Sequence, residues 1–294
     1  MLTVTPLTAD LFSAAPKELL HHGDQSAWAK MTRPGEHMDS FIEGPSFDSV
    51  GDLWLADVAY GKLFSVDPRG KWTLRFQYDG EPHAAKVISD RLVMVPDYSK
   101  GLLAFDPGAG TISPLPGAER SSAFHGLSDI VAHDNHYWVT DSGRSSLSAP
   151  YGQLFSGVMG QPPELLLDRL PYPNGIALSP DGKSLFVAMT RDNAIWKMKT
   201  NGAEKPPMVG RFIRLSGGLG PDGLAVSSDG HLAVAQAQAG RAYVYSPVGD
   251  LVARIDTDRG TSTTSVAFDA YDNLYIVEAQ NAEIFICRKD NWAS

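Results

Sequence analysis

Short apolar runs alternate with polar turns along most of this chain, and the same order of runs returns several times. The unit is clearest at 173–182, where Pro-Asn-Gly leads into Ile-Ala-Leu and then into Ser-Pro-Asp-Gly. Residues 221–230 repeat this order with Pro-Asp-Gly and Ser-Ser-Asp-Gly, and residues 43–51 follow it more loosely. Runs of this kind joined by Asp-Gly predict antiparallel hairpins, because Asp-Gly tolerates positive φ.

Six such units can be aligned on the residue that opens each inner strand. These residues are Glu43, His83, Ser128, Asn174, Asp222 and Thr264. Successive openings lie about 40 to 48 residues apart, which is the period of a four-stranded propeller blade. We therefore predict an all-β protein, a six-bladed β-propeller with four-stranded blades, that forms one domain over residues 1–294.

The two ends of the chain suggest how the ring closes. The sixth unit has no room for an outer strand after Arg288. We expect the strand-like piece 27–31 to complete this blade and to protect its open edge. Residues 1–25 are then an N-terminal extension packed on the propeller, and the apolar spacing from Thr8 to Leu20 suggests a helix within it.

Composition excludes several classes of function. The chain has 294 residues, a formal net charge of −9 and no Lys/Arg run, which argues against a nucleic-acid partner. Its single cysteine, Cys287, rules out a disulfide within the chain and a cysteine-based zinc site. There is no basic-then-apolar leader and no apolar run of roughly 20 residues, so we expect a cytoplasmic protein without a membrane partner. We expect a monomer or a small homo-oligomer.

The repeat also predicts where the chemistry lies. Inner strands follow the central channel, so the six opening residues converge near the axis at one end. The connections from second to third strand return to that end, and the longest, 141–152, suggests a substrate lid. Candidate substrate-contacting residues on these rim loops are Arg144, Tyr151, Tyr60 and Tyr98, and ordinary loop packing is the alternative for each.

Three opening residues carry oxygen donors. Glu43, Asn174 and Asp222 offer two carboxylates and an amide, a set that favours a hard divalent cation, Ca²⁺ before Zn²⁺, Mn²⁺, Mg²⁺ or Fe²⁺. The alternative is that each caps a turn at the start of its strand. His83 has a suitable pKa for a general base beside a metal-bound water, and a hydrogen-bonded histidine in a turn is the alternative. His125 lies three residues before Ser128 and is either a pocket-mouth residue or loop packing.

These motifs resemble the gluconolactonase, senescence-marker-protein (regucalcin) and luciferin-regenerating family of six-bladed propellers. The resemblance covers roughly residues 40–288 and rests on Glu43-Gly44-Pro45, on 174–182 and on Pro221-Asp222-Gly223. It implies a divalent cation at Glu43, Asn174 and Asp222, with Asp222 also activating water, and hydrolysis of lactones. Relatives in the paraoxonases look similar at His83, which is assigned there to proton transfer.

One position departs from the family pattern. The family commonly has Asn followed by Asp at the opening of the third blade, and this chain has Ser128 followed by Asp129. Ser128 would then bind the metal through a water or leave a coordination position to substrate, and Asp129 is a further candidate that can turn inward.

The sequence thus predicts a divalent-metal-dependent hydrolase that opens a lactone with metal-activated water and acts on a small molecule. The alternatives are a non-hydrolytic propeller enzyme, such as a lyase or isomerase, and a non-catalytic propeller that binds a metal or ligand. Metal content and lactone turnover distinguish the three.

Overall fold

The computed structural model describes residues 4–118, 124–200 and 207–293, and it is a six-bladed β-propeller. In each blade the strands that follow one another along the chain are antiparallel neighbours, arranged from the axis outward. In blades 1 to 3 the strands are β3 (Ile42–Phe47), β4 (Leu53–Asp57), β5 (Lys62–Val66) and β6 (Trp72–Gln77); β7 (Lys86–Ser89), β8 (Leu92–Asp97), β9 (Gly101–Asp106) and β10 (Thr111–Pro114); β11 (Leu127–His133), β12 (His136–Asp141), β13 (Gly152–Val158) and β14 (Glu164–Leu170).

Blades 4 to 6 follow the same plan. Their strands are β15 (Pro173–Leu178), β16 (Ser184–Met189), β17 (Ala194–Lys199) and β18 (Val209–Arg214); β19 (Gly220–Val226), β20 (Leu232–Ala237), β21 (Arg241–Tyr245) and β22 (Leu251–Asp256); β23 (Thr263–Phe268), β24 (Leu274–Glu278) and β25 (Glu283–Cys287). The predicted fold class is therefore confirmed, and the outer strand of blade 2, which sequence reasoning did not assign, is β10.

An N-terminal strand closes the ring, but it is not the predicted one. The strand β2 (Asp10–Ala14) pairs antiparallel with β25 and completes blade 6. The preceding β1 (Leu7–Thr8) adds a short parallel fifth strand to blade 5, beside β22. The helix expected before Ser26 is thus wrong: the segment contains β1, β2 and a three-residue 3-10 helix, Lys17–Leu19, and β2 satisfies the open edge of β25.

The piece expected as the closing strand is a helix, α1 (Ala27–Thr32). Ser26 caps it, because the Ser26 side chain accepts a hydrogen bond from the Ala29 N–H at 3.1 Å. The predicted strand piece, 27–31, contains Ala, Lys and Met, which are good helix formers. Trp28 and Ala29 are buried against Val58 and Ala59, so tertiary packing favours the helix.

The core is divided among the interfaces between neighbouring blades. In the described residues, six hydrophobic clusters each join two adjacent blades. The cluster between blades 6 and 1 contains Val277 and Ile284 from one side and Leu55 and Phe64 from the other. Packing all the way round keeps the inner strands fixed around the axis. A final short helix, α2 (Lys289–Trp292), buries Trp292 against blades 5 and 6.

Candidate active site

A cavity of about 380 Å³ opens at the end of the propeller where the inner strands begin. All six aligned opening residues line it: Glu43, His83, Ser128, Asn174, Asp222 and Thr264. Connections from second to third strand supply Tyr98, Arg144, Thr190 and Gln238 to its wall. The cavity lies at the end of the propeller that the repeat indicates.

A local break in strand pairing occurs at the opening positions. The register between β3 and β4 shifts between Glu43 and Ser46, and similar shifts occur in β11, β15, β19 and β23. Bulges of this kind bend a strand and redirect its side chains. They explain how residues on an otherwise regular inner strand come to line the cavity.

Two glycines allow the neighbouring inner strands to approach closely here. Gly44 has φ of +60°, and a Cβ on it would lie 2.2 Å from the Ala84 Cα. A Cβ on Gly175 would lie 2.2 Å from the Asp222 carbonyl oxygen. A side chain at either position would push apart the strands that carry the oxygen donors. This explains why each motif has Gly at that position.

Glu43 and His83 form a contact between blades 1 and 2. His83 Nδ1 lies against Glu43 Oε1, and His83 Nε2 is buried without a hydrogen-bond partner. Burial lowers the pKa of His83, but the negative charges of Glu43, Asp97 and Glu81 outweigh it, so the pKa is raised overall. Glu43 therefore orients the ring, and Nε2 is the nitrogen free to exchange a proton.

Asn174 and Asp222 meet between blades 4 and 5. The Asn174 amide donates to Asp222 Oδ1 at 2.6 Å. Burial and then the negative charges of Glu43 and Asp129 raise the pKa of Asp222 well above its usual value, and the Asn174 hydrogen bond opposes them. The repulsion shows that carboxylates from different blades share one electrostatic environment at the axis.

Ser128 is buried in the cavity and bonded within its own blade. Its hydroxyl lies 2.6 Å from the Ser142 hydroxyl, which also contacts the Gly126 carbonyl oxygen at 3.5 Å. The departure from Asn thus comes with a hydroxyl partner, Ser142, that holds the shorter side chain in place.

Asp129 turns inward but does not line the main cavity. It lines a separate cavity of about 30 Å³ together with Lys86. Its carboxylate accepts hydrogen bonds from the N–H groups of Ile130 at 2.8 Å and Ile176 at 3.0 Å. Burial raises the pKa of Asp129 to about 6, against these bonds and the charge of Lys86. These contacts give Asp129 a structural role in fastening blade 3 to blade 4.

Three other predicted substrate residues lie away from the cavity lining. Tyr60 donates its hydroxyl proton to the Met38 carbonyl oxygen at 2.5 Å and stacks on His21, with 3.8 Å between ring centroids. His125 is exposed and packs edge-on against Tyr151, with centroids 5.6 Å apart. Of the four rim residues named from the sequence, Arg144 and Tyr98 line the cavity and Tyr60 and Tyr151 do not.

Several cavity residues have no counterpart in the sequence analysis. Helix α1 and its C-terminal flank contribute Trp28, Met31 and Arg33, and the lead-in to blade 4 contributes Tyr172. The Trp28 ring packs 5.9 Å from that of His83. These residues were missed because α1 lies outside the repeat, so no alignment of blades places it over the cavity.

Buried carboxylates support the opening residues from behind. Asp57, Asp97, Asp141 and Glu278 end the second strands of their blades and are all fully buried. Each accepts a backbone N–H from the segment that leads into the inner strand, as Asp97 does from Glu81 at 2.8 Å. They fix the lead-in segments, and their recurrence at one repeat position is a signal that the sequence does contain.

The residues present fit a divalent cation by their donor chemistry. Among the described residues no three His, Cys, Asp or Glu side chains come together as a metal site, so the two carboxylates Glu43 and Asp222 would need a further donor such as the amide of Asn174. Glu43 contacts His83 through Oε1, and the carboxylate keeps further lone pairs for a cation. Asn174 Nδ2 donates to Asp222 Oδ1, so the amide oxygen is the atom of Asn174 that would bind a cation. Two carboxylates and an amide suit a hard cation.

Fold and cavity together define a six-bladed propeller with one buried and two half-buried oxygen donors, from three blades, at one end of its axis. The chain belongs to the SMP-30/gluconolactonase/LRE-like family, whose model matches residues 41–280. The resemblance seen in the sequence is thereby confirmed. In addition, no helix among the described residues has the length and apolar character needed to cross a membrane.

Individual relatives agree with this placement. The lactonase drp35 of Staphylococcus aureus (strain MW2) is 26% identical over 244 residues, which cover 76% of this chain and 72% of that protein. Among solved structures, the calcium-binding protein regucalcin from Agrobacterium tumefaciens has a TM-score of 0.76 at 21% identity and covers 97% of this chain and 95% of its own. A gluconolactonase from Xanthomonas campestris has a TM-score of 0.73 at 20% identity and covers 97% of each chain. At these identities the structural likeness shows the fold alone.

Proposed function

We propose that this protein is a divalent-metal-dependent lactonase that binds its metal through Glu43, Asn174 and Asp222. The observation that carries the proposal is the convergence of these three oxygen donors in one cavity, beside a histidine with a free nitrogen. Family membership and the lactonase and gluconolactonase relatives support the substrate class. Ca²⁺ is the ion that the donor set favours.

The protein residues would divide the work of ester hydrolysis. When bound, a divalent cation supplies polarisation of an ester carbonyl and a more acidic water. His83 accepts the proton of the attacking water at Nε2, while Glu43 holds the ring through Nδ1. A positive charge beside Glu43 would disfavour the imidazolium and so keep His83 neutral and able to accept a proton. Asp222 is the second candidate for this role.

Proton balance then fixes the remaining steps. The water oxygen bonds to the carbonyl carbon, and the ring C–O bond breaks. The proton held by His83 passes to the departing alkoxide, so the product is a hydroxy acid. Tyr98 and Tyr172 line the same cavity and would limit the water that can reach the reacting ester.

Metal analysis and lactone turnover test the proposal together. Purified protein should bind close to one divalent ion, and a pH-stat screen of sugar and aromatic lactones should show turnover that a chelator abolishes. Asn174→Ala and Asp222→Asn should lose both metal and turnover with the fold intact, whereas Asp134→Asn, an exposed carboxylate on the hairpin between β11 and β12, should change neither.

Ser128→Asn should raise metal affinity, because an amide is a longer and stronger donor than a hydroxyl. Absence of any stoichiometric ion would overturn the metal role. Metal binding without turnover of any lactone would instead favour the lyase, isomerase or non-catalytic alternatives.

A further inference from the structure

The cavity mouth carries arginines that have no acidic partner. Arg144 and Arg191 line the cavity and are both exposed, and neither contacts a carboxylate within the described residues. Several other exposed arginines are paired, as Arg91 is with Asp106 at 3.1 Å and Arg211 is with Asp192 at 2.8 Å. Arg214 and Arg288 are exposed without an ion pair in the described residues, but they do not line the cavity. In a protein with a formal net charge of −9, free arginines at one opening call for an explanation.

Both arginines sit on backbone that is held in place. The Arg144 N–H donates to the Tyr151 hydroxyl at 3.2 Å, and the Tyr98 hydroxyl donates to the neighbouring Gly143 carbonyl at 3.1 Å. The Arg191 guanidinium lies over the Tyr172 ring, 5.4 Å from its centroid. The Arg191 guanidinium therefore loses little further freedom when it binds a ligand, whereas at Arg144 the hydrogen bonds fix the backbone of the loop.

One hydrogen bond links the loop that carries Arg144 to Tyr172, the residue on which Arg191 packs. The Ser145 hydroxyl, next to Arg144, accepts from the Tyr172 N–H at 2.9 Å, and the Tyr172 ring carries Arg191. The two arginines therefore belong to adjoining loops of blades 3 and 4. We refer to Arg144 and Arg191 as the arginine pair.

The charges around the rest of the cavity set the arginine pair apart. The carboxylates that line the cavity are Glu43 and Asp222, both at the inner-strand openings and both assigned above to the metal. The third cavity arginine, Arg33, is already engaged with Ser262 at 3.0 Å and Glu36 at 3.4 Å. A divalent cation would offset the two carboxylates, so the arginine pair leaves a net positive charge at the mouth.

We propose that the arginine pair binds an anionic substituent, a carboxylate or phosphate, on the substrate, so that the preferred lactone is negatively charged. Arg forks match both groups through paired N–H donors. The inference rests on the proposed lactone hydrolysis for its reaction, and it adds the charge of the substrate. An anion at the mouth would orient the lactone with its ring toward Asn174 and Asp222.

Three lactones with one ring test the proposal. They are γ-butyrolactones whose 5-position carries a carboxamide, a carboxylate or a phosphorylated hydroxymethyl group. The wild-type protein should show a kcat/KM at least about tenfold higher for one or both anionic lactones than for the carboxamide, since a charge-assisted hydrogen bond contributes that much or more. The preference should shrink as salt is raised.

Variants assign the preference to the arginine pair. Arg144→Gln and Arg191→Gln should each lower kcat/KM for the preferred anion roughly tenfold through KM, with the carboxamide unchanged. Arg191→Lys should lower kcat/KM for the anion less than Arg191→Gln does, because Lys keeps the positive charge but lacks the paired N–H donors of Arg. Arg69→Gln, an exposed arginine on the turn between β5 and β6 at the opposite end, should have no effect.

Two outcomes would overturn the inference. One is equal kcat/KM for charged and neutral lactones, and the other is an equal effect of Arg144→Gln and Arg191→Gln on both. If no lactone is turned over, the proposed function fails, and calorimetric titration of the same compounds then decides the inference separately. Tighter binding of an anion that depends on the arginine pair supports it, and equal binding of all three compounds refutes it.

Discussion

Replacing Asp222 with Asn should have opposite effects with and without metal. The substitution keeps the shape of the side chain and removes one of the negative charges near the axis. Without metal, burial and then repulsion by Glu43 and Asp129 disfavour the charged form of Asp222 and raise its pKa. The free energy of unfolding of the metal-free protein should therefore rise. With metal, the same change removes a charged ligand, so stabilisation by the metal should be lost.

The sizes of both effects can be worked out. Repulsion between like charges near the axis is worth on the order of 1 kcal/mol, so we expect metal-free D222N to gain about that much. An ion at 100 times its Kd stabilises the wild type by about 2.7 kcal/mol. With an unfolding entropy of about 2.1 cal/mol/K per residue, 294 residues give about 0.6 kcal/mol/K. The Tm should rise by about 4 °C on adding metal to the wild type and by about 2 °C on making metal-free D222N.

Differential scanning calorimetry measures both shifts. Each protein would be scanned after chelation and again with Ca²⁺ at 100 times the wild-type Kd from titration calorimetry. The control is Asp134→Asn, which makes the same chemical change at an exposed turn residue whose φ of 51° Asn also tolerates. The reasoning is refuted if Ca²⁺ raises the Tm of wild type and D222N equally, or if metal-free D222N is less stable than the metal-free wild type.

Three further changes test the geometry around the site. Gly175→Ala should weaken metal binding at least tenfold by titration calorimetry, because its Cβ would lie 2.2 Å from the Asp222 carbonyl oxygen; unchanged affinity would show that the strands can move apart freely. Asp129→Ala should cost about 2 kcal/mol in urea unfolding, since it leaves two backbone N–H groups without an acceptor, while Asp129→Asn should cost less; equal losses would contradict this. Removing the chain up to Ala14 should expose the edge of Glu283–Cys287 and produce oligomers or aggregates by size-exclusion chromatography, and a stable monomer would disprove the closure role of β2.

The repeat was predictable because every blade packs the same kind of strands against its two neighbours, and so needs the same order of apolar and polar residues. An inner strand, a tight turn and an apolar second strand recur in sequence, so Asn174 and Asp222 could be placed at equivalent positions without any coordinates. The same logic failed at α1, which occurs once. Its short, mostly apolar run is compatible with a strand or a helix, and the Ser26 cap and the burial of Trp28 favour the helix.

Rim residues show the same limit. Arg144 and Tyr151 lie seven positions apart on one loop, yet Arg144 lines the cavity while the Tyr151 hydroxyl supports the loop from outside it. The sequence alone does not tell which of the two residues lines the cavity, because the path of the loop depends on hydrogen bonds to other blades. The contact of Arg191 with Tyr172 likewise arises from loops that meet only in the folded ring.

By itself, the sequence determined the propeller, the number of blades and the six positions that face one end of the axis. These features follow from apolar runs and turns that recur at a fixed spacing along the chain. Tertiary structure decided which of those side chains meet: His83 with Glu43, Asn174 with Asp222, and Asp129 turned into a separate cavity. It also decided that β2 closes the ring and that α1 lies at the cavity. These outcomes depend on bulges, close contacts between blades and charge repulsion across the axis, which are properties of neighbours in space and not of neighbours along the chain.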